Sequence, residues 1–163
     1  MELGFALGIT LDGLPDDLVR ELPRVDARSV VVIGPRDQGE LAERGVASIR
    51  DRVELMPSDS VTSDPDAVFA AAAAHLAREP EWWVHIDLDV LSTASLGAVD
   101  YRQAGGIDWD VLTRLTRRML ASRRAIGWDV TIYNPDLDHD GAGATRIVRY
   151  LAESLESAEE GFG

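Results

Sequence analysis

Three short apolar runs divide the chain: Ser29 to Gly34, Trp82 to Ile86 and Ala125 to Ile132. They lack the strict alternation of a half-solvated strand and are too short for buried helices. β-Branched residues and closing Gly or Pro signals predict parallel strands covered on both faces. Val53 to Met56 predicts a fourth, shorter strand ahead of the polar stretch Ser58 to Ser63.

Between these runs the apolar positions fall at helical spacing. Asp64 to Leu76 places Val68, Phe69, Ala72, Ala73 and Leu76 on one face, with Pro65 tolerated in the first turn. Asp108 to Leu120 does the same with Trp109, Leu112, Leu115 and Met119, and Ala144 to Leu155 with Ile147, Val148, Leu151 and Leu155. Asp16 to Leu22 and Gln38 to Arg44 predict two further short helices. The acidic end, Glu153 to Gly163, is expected to fray once Leu155 is buried. Strands alternating with amphipathic helices specify the α/β class, with layers packed around a mostly parallel sheet. No repeat or composition shift marks a boundary, so residues 1–163 are expected to form one domain.

Composition narrows the chemistry. The net charge of -13 leaves no basic surface for nucleic acid. All 16 basic residues are arginine, which removes Schiff-base and P-loop chemistry, and the absence of cysteine removes thiolate nucleophiles and Cys-type zinc sites. No apolar run approaches the ~20 residues of a membrane span. The first residues lack the pattern of a signal peptide. The expectation is a cytoplasmic protein without nucleic-acid or membrane partners.

Candidate chemistry gathers where the second apolar run ends. In α/β sheets ligands bind beyond the carboxyl ends of the strands, and Asp87-Leu88-Asp89 follows directly on Val84 to Ile86. Two residues apart on an extended chain, the two carboxylates would share a side and converge. They would then repel unless a cation or proton lay between them, and oxygen donors of this kind suit Mn, Mg or Ca. The competing reading makes one carboxylate the cap of a turn and leaves the other solvated. His85 precedes Asp87 by two and could share its face as a hydrogen-bond partner. His75 reads as a packed or half-exposed helix residue. Asp136 to Gly141 imitates the start of an EF-hand loop, but Ile147 stands where its bidentate glutamate belongs. That segment reads as a polar loop leading into the last helix.

The run VHIDLDVL, then Gly105-Gly106-Ile107, then Gly127-Trp128-Asp129-Val130-Thr131-Ile132-Tyr133-Asn134-Pro135, resembles the C-terminal half of the ureohydrolase family, the arginase, agmatinase and formimidoylglutamase type. Met1 to Ile9 and Val31 to Asp37 are more weakly similar to the same family. The resemblance implies an arginase-like three-layer α/β/α sandwich and a binuclear manganese centre. That centre activates water against a guanidino or amidine carbon. It makes Asp87 and Asp89 metal ligands and gives Asp129 a supporting role beside them. The family's Gly-Gly-Asp-His and Asp-Ala-His-x-Asp motifs, which carry its other ligands, do not occur here. Ile132 occupies the place of the glutamate that receives a cationic substrate group, which puts arginine and agmatine in doubt. The chain is therefore expected to be incomplete for catalysis by itself, and to act as a homo-oligomer or with a partner chain. Its alternatives are a non-catalytic scaffold of the same architecture and, from Asp-x-Asp after a strand, a haloacid-dehalogenase-like phosphatase.

Overall fold

A computed structural model describes residues 2–9 and 11–159. In chain order its elements are α1 (Glu2–Ala6), α2 (Asp16–Glu21), β1 (Val31–Ile33), α3 (Gln38–Glu43), β2 (Glu54–Met56), α4 (Ser58–Ser63), α5 (Pro65–His75), β3 (Trp82–Asp87), α6 (Trp109–Leu120), β4 (Ala125–Thr131) and α7 (Ala142–Glu159). The α/β class and the parallel strands agree with the periodicity of the sequence. The polar stretch at 58–63 is helical, with Val61 fully buried beneath it.

The strands form two parallel pairs. β1 pairs with β2, and β3 with β4, with His85 opposite Asp129 and Asp87 opposite Thr131. Among the described residues no ladder joins the two pairs.

The core lies between these strands and α5, α6 and α7. Val84 and Ile86 from β3 meet Val68 and Ala72 of α5 and Leu112 and Leu115 of α6, all buried. Tyr150 of α7 is fully buried at the centre, its ring 5.6 Å from Trp109 and 6.0 Å from Trp128. Its hydroxyl shares a 2.8 Å hydrogen bond with Thr116, so the core's buried phenol is not left unpaired. Burial pushes that phenol up to about 12 despite the hydrogen bond.

Local signals set the helix starts. Asp64 accepts from the Ala67 N–H at 3.0 Å ahead of Pro65, and Asp108 from the Val111 N–H at 2.8 Å. Each carboxylate satisfies one of the donors that a helix N-terminus leaves open. Asp66 on α5 forms ion pairs with Arg114 and Arg118 on α6, which ties the two helices at their solvent edge.

The last helix departs from expectation in two ways. Val148 and Leu155 are exposed, because the buried stripe runs through Ile147, Tyr150, Leu151 and Ser154 and leaves both on its flank. The helix also continues past Leu155 to Glu159, with Glu153 held by Arg149 at 2.6 Å and Arg146 at 3.5 Å. The rest of the segment expected to fray, residues 160–163, lies outside the described residues.

Candidate metal-binding strand end

The site is built at the carboxyl end of β3. Asp87 is the last residue of the strand, and Leu88–Val90 forms a single 3-10 turn that reverses the chain. Asp87 Oδ1 accepts from the Asp89 N–H at 3.4 Å. The turn, and not the alternation of an extended strand, brings Asp89 back towards Asp87. Asp87 thus caps the turn, while Asp89 is half-buried beside it and not solvated as the capping reading expected.

Their proximity is visible in the protonation of Asp89. Burial, then the charge of Asp87, then a hydrogen bond with Asp87 push its carboxyl up to about 6, against the opposing pull of Arg36. A cation between the carboxylates would relieve this repulsion.

Arg36, in the loop after β1, is the main support of the turn. Its guanidinium donates to the carbonyls of Asp89 at 2.6 Å and of Val90 and Leu91 at 3.2 Å each. One planar fork thus collects three successive carbonyls of the tight turn, of which that of Val90 also accepts from a backbone N–H. The sequence pattern gave Arg36 no role beyond lying in the weakly similar segment Val31 to Asp37. The useful signal was an arginine directly after a strand-closing Gly-Pro.

The Gly105-Gly106-Ile107 run anchors the next stretch. Ile107 N–H donates to Val90 at 3.1 Å, and Ser92 N–H to Ile107 at 2.8 Å. Gly106 has φ +97°, and a Cβ there would lie 2.6 Å from the Ser92 nitrogen and 2.7 Å from the Leu91 carbonyl carbon. No other residue fits this crossing.

His85 shares the strand face of Asp87 but bonds across the ladder. Its Nδ1 lies 2.7 Å from Asp129 Oδ2, and the Trp83 indole N–H donates to the other oxygen of the same carboxylate. Desolvation raises the Asp129 carboxyl, yet the hydrogen bonds from Trp83 and His85 outweigh it and hold the group below the usual carboxylate range. His85 and Asp129 thus contact one another, two register pairs before Asp87 and Thr131 along the ladder. Trp83 was not anticipated.

Ile132 follows β4 directly, next to the residue paired with Asp87. It has φ +64°, the one non-glycine residue with positive φ among those described. Its neighbours fix it there: Thr131 donates to the Ile86 carbonyl at 3.4 Å, and Asn134 bonds Ala98 through its N–H at 2.9 Å and Asp100 through its amide at 2.5 Å.

His75 lies elsewhere, 2.9 Å from the Arg28 carbonyl and 3.7 Å from Glu54. In the loop resembling an EF-hand, Asp138 accepts from the N–H groups of Gly143 and Ala144 and from the Tyr133 hydroxyl. It is occupied as the cap of α7, as the polar-loop reading requires. Among the described residues no group of three or more His, Asp or Glu side chains is arranged to hold a metal. Among the described residues Asp87 and Asp89 are thus two oxygen donors without a third. None of the described helices is long and apolar enough to cross a membrane.

Both the sequence and the fold resemble known proteins. Residues 12–155 match the arginase family. Formimidoylglutamase of Chromobacterium violaceum is 40% identical over 73 residues, which span 45% of this chain and 23% of that protein. Formimidoylglutamase of Klebsiella pneumoniae is 29% identical over 110 residues, 68% of this chain and 33% of the relative. Among solved structures, Helicobacter pylori arginase superposes with a TM-score of 0.79 at 19% identity, over 98% of this chain and 57% of its own. The matches thus cover a third or less of these curated relatives and little more than half of the solved chain.

Proposed function

The chain belongs to the arginase family, and from that premise we propose that it forms part of a metal-dependent hydrolase that cleaves a C–N bond at a guanidino or amidine carbon. The observation that carries this reading is the half-buried pair Asp87 and Asp89 at the carboxyl end of β3, held by Arg36. Two hard oxygen donors that repel one another suit a divalent cation such as manganese. The fit is partial, since two carboxylates are not a full coordination sphere. Asp87 and Asp89 would hold the cation, and a bound cation supplies water of lowered pKa as a nucleophile near neutral pH. Asp129 and His85 stiffen the strand pair below the ligands. The chain alone is incomplete for turnover.

The substrate reading follows from Ile132. An apolar side chain cannot neutralise an ammonium group, so arginine and agmatine fit poorly. An amidine substrate without a cationic tail agrees better, and both curated relatives are named as formimidoylglutamases. The dehalogenase-like alternative finds no support in the family match. The lack of cysteine favours the cytoplasm.

Calorimetric titration of manganese into the chain tests the proposal. Weak binding of one ion is expected, abolished in Asp87→Ala and in Asp89→Ala. Tight binding of two ions would contradict the partial site, and no binding would remove these carboxylates from a metal role. Release of urea or formamide by the chain alone would contradict its incompleteness.

A further inference from the structure

The outer face of a helix packed on a sheet is ordinarily polar, because only its inner stripe meets the core. α7 keeps an apolar seam on the side turned away from the core. Thr145, Val148, Ala152 and Leu155 are all exposed, at spacings of three, four and three residues, while Ile147, Tyr150, Leu151 and Ser154 face inward. Val148 and Leu155 are 66% and 49% exposed. This spacing is that of the a and d positions along a seam between two helices. The Thr145 hydroxyl donates to the Gly141 carbonyl at 2.9 Å, so covering the seam strands no polar group on it.

The order of charge along the helix identifies the occupant. Beyond the Asp138 cap, the first turn of α7 carries no acidic residue and the last turn no basic one. Arg146 and Arg149 lie in its first half, Glu153 and Glu156 in its second. This order opposes the helix dipole, which favours anions at the N-terminus and cations at the C-terminus. A second α7 lying antiparallel answers it: each basic half then faces an acidic half, and the two dipoles oppose one another. A parallel copy would align like with like. Arg149 and Glu156 flank the seam on one side, each directly after an apolar residue of it, and both are exposed. Glu153 is already held by Arg146 and Arg149, whereas Glu156 has no partner among the described residues.

We infer that the exposed seam of α7 is a self-association surface, on which a second copy of this chain docks its own α7 antiparallel, Arg149 of each copy pairing with Glu156 of the other. The overlap fits by size. Thr145 lies against Leu155 of the other copy and Val148 against Ala152, so each layer sets a larger side chain against a smaller one. A two-fold axis repeats every contact. Two helices of about four turns bury less than the ~1,200 Å² of a standard interface, so the dimer is a weak one, with a Kd on the order of 10 µM. The inference rests on α7 alone and needs neither the proposed metal site nor the proposed reaction.

Sedimentation equilibrium of the full chain tests it. A monomer–dimer equilibrium is expected, weakened about tenfold in Leu155→Lys and in Arg149→Glu, each with the circular dichroism of the parent. Combining Arg149→Glu with Glu156→Arg should restore the association. The chain has no cysteine, so Thr145→Cys and Leu155→Cys each introduce a single thiol. On mild oxidation, a mixture of these two variants should form a disulfide between one and the other, and neither alone should cross-link. A chain that stays monomeric at ~200 µM overturns the inference, as does a Leu155→Lys variant that dimerises like the parent. Cross-linking of either thiol variant with itself would show a parallel pair and overturn it too. Binding of neutral lipid vesicles by a chain that remains monomeric would give the seam to a membrane surface instead.

Discussion

His85 and Asp129 face one another across the parallel β3–β4 ladder, with His85 Nδ1 2.7 Å from Asp129 Oδ2 and the Trp83 indole on the other oxygen. One carboxylate therefore ties three side chains on two strands into a unit on the open face of the sheet.

Removing that carboxylate should loosen the pair without touching Asp87 or Asp89. Asp129→Ala leaves the Trp83 N–H and the His85 ring without their acceptor. Both are well exposed, so water replaces part of what is lost and the cost is about 1 kcal/mol. Urea denaturation should show this decrease, and the Trp83 emission should broaden and move to the red. An unchanged midpoint would mean that the contact does not hold the strands.

The crossing at Gly106 is less forgiving. Gly106→Ala places a methyl group 2.6 Å from backbone at Ser92, at φ +97°, and neither fault can be relieved by a side-chain rotation. The expected loss is on the order of 3 kcal/mol, enough to unfold a marginal domain. Thermal melting by circular dichroism checks it, with Gly13→Ala as the control. That glycine also has positive φ but meets no atom within 4 Å, so its cost is conformational alone.

These two sites differ in how far the sequence revealed them. Strands β1, β3 and β4 were legible as compact apolar runs, and helices α5, α6 and α7 by helical spacing sustained over three turns or more. Gly105-Gly106-Ile107 was legible as a turn. Its crossing with Leu91 and Ser92 was not, since that depends on a contact between segments distant along the chain. The same limit explains Trp83 and Arg36, whose partners belong to other elements. For Asp87 and Asp89 the sequence showed that the carboxylates meet but assigned the wrong cause, because a strand end and a 3-10 turn share the same Asp-x-Asp spelling. Val148 and Leu155 show a different failure. A helical stripe read from apolar residues alone misses that Ser154 can be buried and Leu155 left on the flank.

Ile132 carries backbone strain that a better-suited residue would remove. A β-branched side chain at φ +64° is disfavoured, whereas asparagine adopts this region readily. Ile132 is 40% exposed, so replacement gives up only part of a full isoleucine burial, less than the strain it relieves. Ile132→Asn should therefore raise stability by about 1 kcal/mol, read as a higher urea midpoint with an unchanged slope. A destabilised variant would show that the isoleucine side chain has a packing role that outweighs the strain.

The cap of α7 sets a pH dependence. The backbone N–H groups of Ala144 and Gly143, and then the Tyr133 hydroxyl, hold the Asp138 carboxyl below the usual range. A carboxyl depressed in the folded state stabilises the fold above its unfolded pKa, about 4, and that contribution disappears as pH falls through the lower folded value. Melting temperatures measured from pH 6 downward should rise slightly as Asp89 takes up its proton and then drop below about pH 4, where the depressed carboxyls are protonated. Asp138→Asn should start lower and fall less steeply in that window. Parallel curves for the two proteins would show that Asp138 does not carry the effect.

Arg36 offers the sharpest distinction between holding the fold and holding the site. Its guanidinium reaches three successive carbonyls, those of Asp89, Val90 and Leu91, from one planar group. Lysine keeps the charge but cannot present a fork, so Arg36→Lys retains at most part of this set. With charge-assisted hydrogen bonds lost from a partly buried group, stability should fall by about 2 kcal/mol. The turn that returns Asp89 towards Asp87 loses its brace at the same time. Manganese affinity should therefore drop at temperatures where the variant is still fully folded by circular dichroism. The comparison variant is Thr116→Val, which lowers stability at the buried Tyr150 hydroxyl and should leave manganese affinity unchanged. If the two variants weakened metal binding in proportion to their stability loss, Arg36 would be a general structural residue and not a support of the carboxylate pair.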